Sequence, residues 1–215
     1  AMLIFLREGL PRKGVPSTPL PISCQAILED DPLAASGIYT IDPNGGDAND
    51  ALAVYCDMDD DGGGWTMVYK KTGDVSGHPA GLWQLSDLGA RDQTLLSKGP
   101  SPRDYANPFG IDDWAAFSEA RVEVIAGGKP VHSMIFNTVG ADRWTWFQKS
   151  RLLAATWADL RTEPQNIWSI AGDGDRHFFI NSSYIDCGGD VGWLGAFSAV
   201  PWCTWDAGFG IRYAI

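Results

Sequence analysis

Ser23-Cys24, then Gly37-Ile38-Tyr39-Thr40-Ile41-Asp42-Pro43, Val54-Tyr55-Cys56-Asp57-Met58 and Asp61-Gly62-Gly63-Gly64-Trp65-Thr66 follow one another in a stretch of under fifty residues. The β-branched and aromatic run over residues 37–41 predicts a strand. Asp42-Pro43-Asn44-Gly45-Gly46 is turn chemistry, and residues 51–56 alternate into a second strand. Three consecutive glycines break the chain before a third strand over residues 65–69. Residues 23–31 suit one short helix. Two cysteines thus bracket a helix and a hairpin.

Working outward, the chain has 215 residues, one large domain on length alone. Its 45% apolar residues are enough for a sizeable core. The formal net charge of −11 argues against a nucleic-acid binder, which needs a basic footprint. It also disfavours direct docking on an anionic membrane, and no apolar run is long enough for insertion into a bilayer. Residues 1–6 are apolar but too short for a signal-peptide core. They read as a buried strand, a piece of a longer chain or an expression remnant. Pro11, Pro16, Pro19 and Pro21 mark an extended stretch, so residues 1–22 are expected as a Pro-rich arm, able to pair with another subunit's sheet edge.

Cys24, Cys56, Cys187 and Cys203 contain no C-x-x-C and have no nearby histidine, which argues against zinc. An even count favours disulfides and an oxidising compartment. Three pairings are open, the sequence-local one being the simplest. Further along, residues 97–113 read as an irregular loop. Residues 120–126 and 131–137 make a hairpin around Gly127-Gly128-Lys129-Pro130. Leu153, Trp157 and Leu160, at i, i+4 and i+7, predict a helix over residues 150–160. Residues 176–180 are a short strand, the Gly-rich stretch from Cys187 a loop, and residues 209–215 a closing strand. Elements of this kind exclude βαβ alternation. They indicate an α+β fold with a central, mainly antiparallel sheet, few short helices and long loops.

Four groups of residues have chemical potential. Asp42, Asn44, Asp47 and Asp50 crowd hard oxygens onto a Gly-rich turn, the donor type that calcium takes. The run from Asp57 to Gly62 matches the first six positions of an EF-hand loop. Its twelfth position is Val68, where a bidentate Glu is needed, so the EF-hand is rejected and an acidic turn remains. Asp173 and Asp175 form a smaller acidic loop, a possible second metal site. Trp193, Trp202 and Trp205 lie near Asp206, and aromatic faces beside carboxylates suit a sugar as well as they suit a core. Asn181-Ser182-Ser183 is a glycosylation sequon. His78, His132 and His177 are scattered, with His132 expected to be structural. No nucleophile elbow, zincin helix or phosphate loop is present, so binding is expected, not catalysis.

The opening signature, Cys followed by Gly-x-Tyr-x-Ile, Val-Tyr-Cys-Asp-Met and Gly-Gly-Gly-Trp-Thr, resembles that of fibrinogen-like domains over residues 23–70. The resemblance implies a Cys24–Cys56 disulfide and an extracellular domain that recognises glycans or proteins. The same segment is similar to the C-terminal propeptide of fibrillar collagens. That likeness implies a calcium site built from Asp42, Asn44 and Asp50, with backbone carbonyls at Gly45 and Asp47. After Trp65 the chain departs from the common pattern. It lacks Arg-x-Asp-Gly-Ser, Phe-Trp-Leu-Gly-Asn and the C-terminal calcium and Cys-His segments, which argues against a ficolin-type acetyl-group pocket. Arg176 to Asn181, Cys187-Gly188-Gly189-Asp190 and Cys203-x-Trp205 resemble a divergent fibrinogen-like group instead, implying a Cys187–Cys203 disulfide and one domain over residues 23–215.

The expectation is therefore a secreted or cell-surface, calcium-stabilised recognition domain that binds a glycan or an extracellular protein. Its ligand surface is expected at Trp193, Trp202, Trp205 and Asp206. The alternative is a structural module of an extracellular matrix or filament, assembling through residues 1–22.

Overall fold

The computed structural model describes residues 1–9, 20–45, 48–72, 79–84, 92–107, 114–183 and 191–197. Eight strands form one sheet: β1 (Met2–Glu8), β2 (Gly37–Ile41), β3 (Leu52–Asp57), β4 (Trp65–Lys71), β5 (Tyr105–Ala106), β6 (Phe117–Ala126), β7 (Lys129–Asn137) and β8 (Leu152–Ala155). Their order is β2-β3-β4-β1-β6-β7-β8, with β5 also on β4, and every pairing is antiparallel. Three further strands, β9 (Ile167–Ser169), β10 (Arg176–Ser183) and β11 (Val191–Phe197), make a smaller sheet in the order β11-β10-β9. The helices are short: α1 (Cys24–Asp30) and α2 (Pro79–Gln84). The α+β expectation holds.

β1 explains how the sheet is layered. Met2, Ile4 and Leu6 face one core, and Leu3 and Phe5 face the other; all five have no exposed surface. A strand covered on both faces needs an unbroken apolar run, which these residues supply. β1 pairs with β4 on one side and β6 on the other. The arm expected over residues 1–22 is corrected here. Residues 2–8 lie inside the domain, and both edges of β1 are occupied, so they are closed to a neighbour's sheet.

The larger core is aromatic. Trp83 on α2 meets Tyr69, Trp114, Trp146 and Phe178 with ring centroids 5.6–6.0 Å apart, and its indole N–H donates to the Arg143 carbonyl at 2.8 Å. The predicted hairpin is present, turning at Gly127 (φ 58°) and Gly128 (φ 78°), the positive-φ pair that a two-residue turn requires. His132 on β7 stacks on Trp157 at 4.2 Å, the structural part expected of it.

Two local expectations fail. Residues 150–160 are not a helix: a short 3-10 turn, Lys149–Arg151, runs into β8, which pairs with β7 through Met134↔Ala155. Trp157 and Leu160 reach the core from the following turn, while Leu153 is 46% exposed, so the three never form one stripe. The Gly-rich stretch after Cys187 contains a strand, β11, with Trp193, Leu194, Ala196 and Phe197 buried. Its Gly192 is there because a Cβ would strike the Ile180 carbonyl of the paired strand. The strand expected over residues 209–215 lies outside the described residues.

The central place of β1 has a direct consequence. Phe5→Ala is expected to destabilise the domain by about 3–5 kcal/mol, and removal of residues 1–8 to abolish cooperative unfolding. Denaturant titration followed by Trp fluorescence checks both; a native-like transition in the truncated chain would return these residues to the status of an arm.

Candidate functional site

The Asp42 loop leaves the sheet where β2 ends. The Asp42 N–H donates to the Pro21 carbonyl at 2.8 Å, tying the loop to the segment before α1. Asp42 is fully buried. Its Oδ1 accepts from the Gly45 N–H at 3.0 Å, and Gly45 takes a φ of 66° to close that turn. The amide of Asn44 donates to Asp50 Oδ2 at 2.9 Å, with Asp50 presented by a 3-10 turn, Ala48–Asp50. The chain therefore brings Asn44 and Asp50 together and holds Asp42 beside them through Gly45. Asp47 lies outside the described residues. Asp42 Oδ2 is buried and has no hydrogen-bond partner among them. That orphaned carboxylate oxygen, in a loop that also carries Asn44 and Asp50, fits the chemistry of calcium.

A second acidic cluster lies under the Gly-Gly-Gly turn. Ligand oxygens of Asp57, Asp60 and Glu123 fall within 4.8 Å of one another. This cluster already holds its cations. Lys98 Nζ sits 2.7 Å from Asp57, 2.7 Å from Asp60 and 3.2 Å from Glu123. Arg121, wholly buried, pairs with Asp57 and lies 3.1 Å from Glu123 and 3.3 Å from Asp61. The Phe5 ring lies under both cations, 4.7 Å from the Arg121 guanidinium and 5.3 Å from Lys98. Trp65 is flanked by Arg7 at 4.2 Å and Arg121 at 4.7 Å. The acidic turn expected over Asp57–Asp61 is thus neutralised by side-chain cations.

The electrostatics follow from this packing. Burial alone would raise the Asp57 pKa, but Lys98 and Arg121 outweigh it and hold the carboxyl below its ordinary value. Burial dominates at Glu123 and raises its pKa against the pull of the same two cations. Lys98 loses water, yet Asp57, Asp60 and Glu123 raise its pKa. The glycines below the cluster are required by conformation: Gly62, Gly63 and Gly64 have φ values of 86°, 72° and 73°, and a Cβ on Gly63 would strike the Met58 carbonyl. Arg7, Lys98, Arg121 and Glu123 went unnoticed in the sequence because they come from elements remote from the signature.

The other candidates fare differently. Asp173 and Asp175 are exposed, and Asp173 closes a tight turn with Arg176 through backbone bonds of 2.9 and 3.0 Å; the turn accounts for both residues. Trp193 is corrected from ligand contact to core: it is 4% exposed and its indole N–H donates to Asp159 at 2.9 Å. Asn181 is corrected as a glycosylation site. It is fully buried in β10, its amide donating to the Ser183 carbonyl at 3.1 Å and accepting from the Ile167 N–H at 2.8 Å. Trp202, Trp205, Asp206, Cys187 and Cys203 lie outside the described residues. Cys24 and Cys56 form the expected disulfide.

The charge network sets the acid limb of stability. Asp57 has a depressed folded pKa, so its contribution is present above the ordinary value of 3.8 and lost as pH falls through the folded one. Glu123 runs the other way: its folded pKa is raised above 4.5, so its contribution is complete below 4.5 and lost as pH rises. Asp57→Asn is expected to lower stability near neutrality and flatten the loss below about pH 3.8. Urea midpoints across a pH series would reveal it; a variant as acid-sensitive as the parent would assign that limb to other carboxylates.

Comparison with known proteins finds a family likeness in the N-terminal part of the chain. Residues 21–79 match the model of the C-terminal globular domain of fibrinogen beta and gamma chains. Tenascin-N of Mus musculus is 47% identical over 53 residues, 25% of this chain and 3% of that protein. Fibrinogen alpha-2 chain of Petromyzon marinus is 45% identical over 51 residues, 23% of this chain and 8% of its own length. Techylectin-like protein of Phoneutria nigriventer is 42% identical over 76 residues, 35% of this chain and 27% of that protein. The chain thus spans only a small part of the length of these relatives. The match covers α1, the β2–β3 hairpin, the disulfide and β4, and so the Asp42 loop and Asp57 and Asp60, but not Lys98, Arg121 or Glu123. Over residues 21–79 the chain is therefore similar to fibrinogen-like domains.

Proposed function

We propose that this chain is an extracellular recognition domain that binds its ligand without turning it over, and that one calcium ion stabilises its Asp42 loop. The carrying observation is the buried Asp42 Oδ2, which has no hydrogen-bond partner among the described residues. An unpaired buried carboxylate is costly, and Asp42 has no ion pair among the described residues. Asp42, Asn44 and Asp50 would hold the ion, with backbone carbonyls at Gly45 and Asp47. Its binding free energy would add to that of folding. The ion would neutralise clustered carboxylates and fix the loop against the Pro21 carbonyl. The Cys24–Cys56 disulfide supports an oxidising, extracellular setting. The domain would comprise residues 23–215 together with β1.

For the ligand we propose a glycan, read by the C-terminal Trp202, Trp205 and Asp206. The name of the techylectin-like relative is in keeping with this. Trp193 is not part of the surface, since its ring lies in the core. No helix among the described residues is long and apolar enough to cross a membrane.

Saturating calcium is expected to raise the melting temperature by about 5–10 °C, from roughly 2.7 kcal/mol at a hundredfold excess over Kd. Asp42→Asn should remove that rise, and a parent protein indifferent to calcium would refute the site. For the ligand, a glycan array probed with parent and Trp205→Ala protein should give signals that the substitution abolishes without changing the melting temperature. Signals unchanged in Trp205→Ala would place recognition elsewhere.

A further inference from the structure

We propose that copies of this chain associate head to tail through opposite edges of the large sheet, β8 of one copy meeting β2 of the next. This goes beyond ligand recognition and needs neither calcium nor glycan. The inference starts from the two edge strands. β2 pairs only with β3, and β8 only with β7, among the described residues. Edge strands are ordinarily guarded against pairing by Lys, Pro or a strong bulge within them. β2 reads Gly-Ile-Tyr-Thr-Ile and β8 Leu-Leu-Ala-Ala, both without a charge or a proline; β8 does carry one register shift against β7, which leaves Leu153 out of that ladder. Each turns apolar surface outward. Ile38 on β2 is 47% exposed, Leu153 on β8 is 46% exposed, and Val139, whose carbonyl Arg151 binds beside β8, is 65% exposed.

The charges flanking the two edges are opposite. Residues 20–64 carry acids and no Lys or Arg. Lys98 and Arg121 neutralise Asp57, Asp60 and Asp61 from below, but Glu29, Asp30 and Asp31, just ahead of β2, are exposed and have no ion pair among the described residues. At the other edge Lys149 and Arg151 lead directly into β8. Lys149 donates to the Glu163 carbonyl at 3.3 Å, and Arg151 to the carbonyls of Asn137 and Val139 at 3.3 and 3.0 Å, and neither has a carboxylate partner among the described residues. Residues 129–158 hold Lys129, Arg143, Lys149 and Arg151 against Asp142 alone. In a chain of net charge −11 such a basic flank is conspicuous, and its complement is the acidic flank of the same chain.

Geometry excludes satisfaction within one copy. Six strand-to-strand steps of about 4.8 Å separate the edges, so the flanks lie roughly 29 Å apart. The contact is heterologous: each copy uses one edge and leaves the other open, so association continues into a chain of copies. All steps from β2 to β8 are antiparallel, so the two edge strands run in the same direction and a translated copy offers a parallel pair.

Sedimentation of the full 215-residue chain tests this. At low salt the parent should form a concentration-dependent ladder of species that high salt reduces to monomer. Lys149→Gln with Arg151→Gln, and separately Glu29→Gln with Asp30→Asn and Asp31→Asn, should each weaken association at least about tenfold while melting as the parent does. Because each variant keeps one sound edge, their mixture should stop at a dimer. Ile38→Lys, which guards β2 directly, should act like the acidic-flank variant. A parent that is monomeric at every concentration, a closed dimer insensitive to both flanks, or variants that assemble as the parent does would overturn the proposal. So would retention of the parent on a heparin column through Lys149 and Arg151 without self-association, since the basic flank would then serve an anionic ligand.

Discussion

The buried pairing of Arg121 with Asp57 holds the molecule together across its weakest seam. The β2–β3 hairpin meets the rest of the sheet through only two residue pairs, Cys56↔Thr66 and Asp57↔Trp65. A seam that narrow would open unless something crossed it. Arg121 crosses it from β6, passing the Phe5 ring of β1 and the Trp65 ring of β4 before reaching Asp57. Four strands thus share one guanidinium. Breaking a buried pair of this kind by removing one partner costs about 3–5 kcal/mol, a large fraction of a domain's stability. The disulfide adds about 3–4 kcal/mol for a loop of this length by fastening α1 to β3. The residues around Cys56 and Asp57 and the three glycines all serve this junction.

The two acidic clusters solve the same problem in different ways. Buried carboxylates need a cation or hydrogen bonds. At Asp57 the chain supplies the cations, Lys98 and Arg121, and backbone N–H groups of Asp59 and Asp60 cover Oδ1 at 3.3 and 3.2 Å. At Asp42 one oxygen is covered by Gly45 and the other is not. The distinction between a structural ion network and a candidate metal loop therefore rests on which oxygens are left over, not on how many acids are close together. Proximity alone would have chosen the wrong cluster.

Much of the N-terminal third was legible from the sequence because local chemistry decides it. Ser23 caps α1 by accepting from the Ala26 N–H at 3.1 Å, the β2–β3 hairpin alternates, and the three glycines sit at positive φ. Legibility failed where distant partners decide. Arg121 and Glu123 alternate with Ala120, Val122 and Val124, the pattern of a strand with one wet face, yet both are buried because Asp57 and Lys98 face them. Trp193 near acids looked like a sugar platform, whereas its acid, Asp159, is an internal acceptor. The sequon at Asn181 was invisible to burial. The apolar start looked like an appendage because its partners, β4 and β6, are up to about 120 residues away.

The net charge of −11 takes on a different meaning once it has positions. Part of it is neutralised internally at the Arg121 seam, and part lies in the Asp42 loop, where a divalent ion would cancel two charges. What remains exposed at the β2 end is Glu29, Asp30 and Asp31, and these carboxylates lie on the same disulfide-closed subdomain as the Asp42 loop. Screening at physiological ionic strength acts over about 8 Å, so loop and edge sense each other only where they are near neighbours. An ion taken up by the loop would make that end of the molecule less acidic. Any partner drawn to that end by charge would be held less strongly by the ion-bound form. The fold thereby sets two kinds of contact at one edge, an electrostatic attraction that salt screens and a short backbone ladder that needs this attraction to hold.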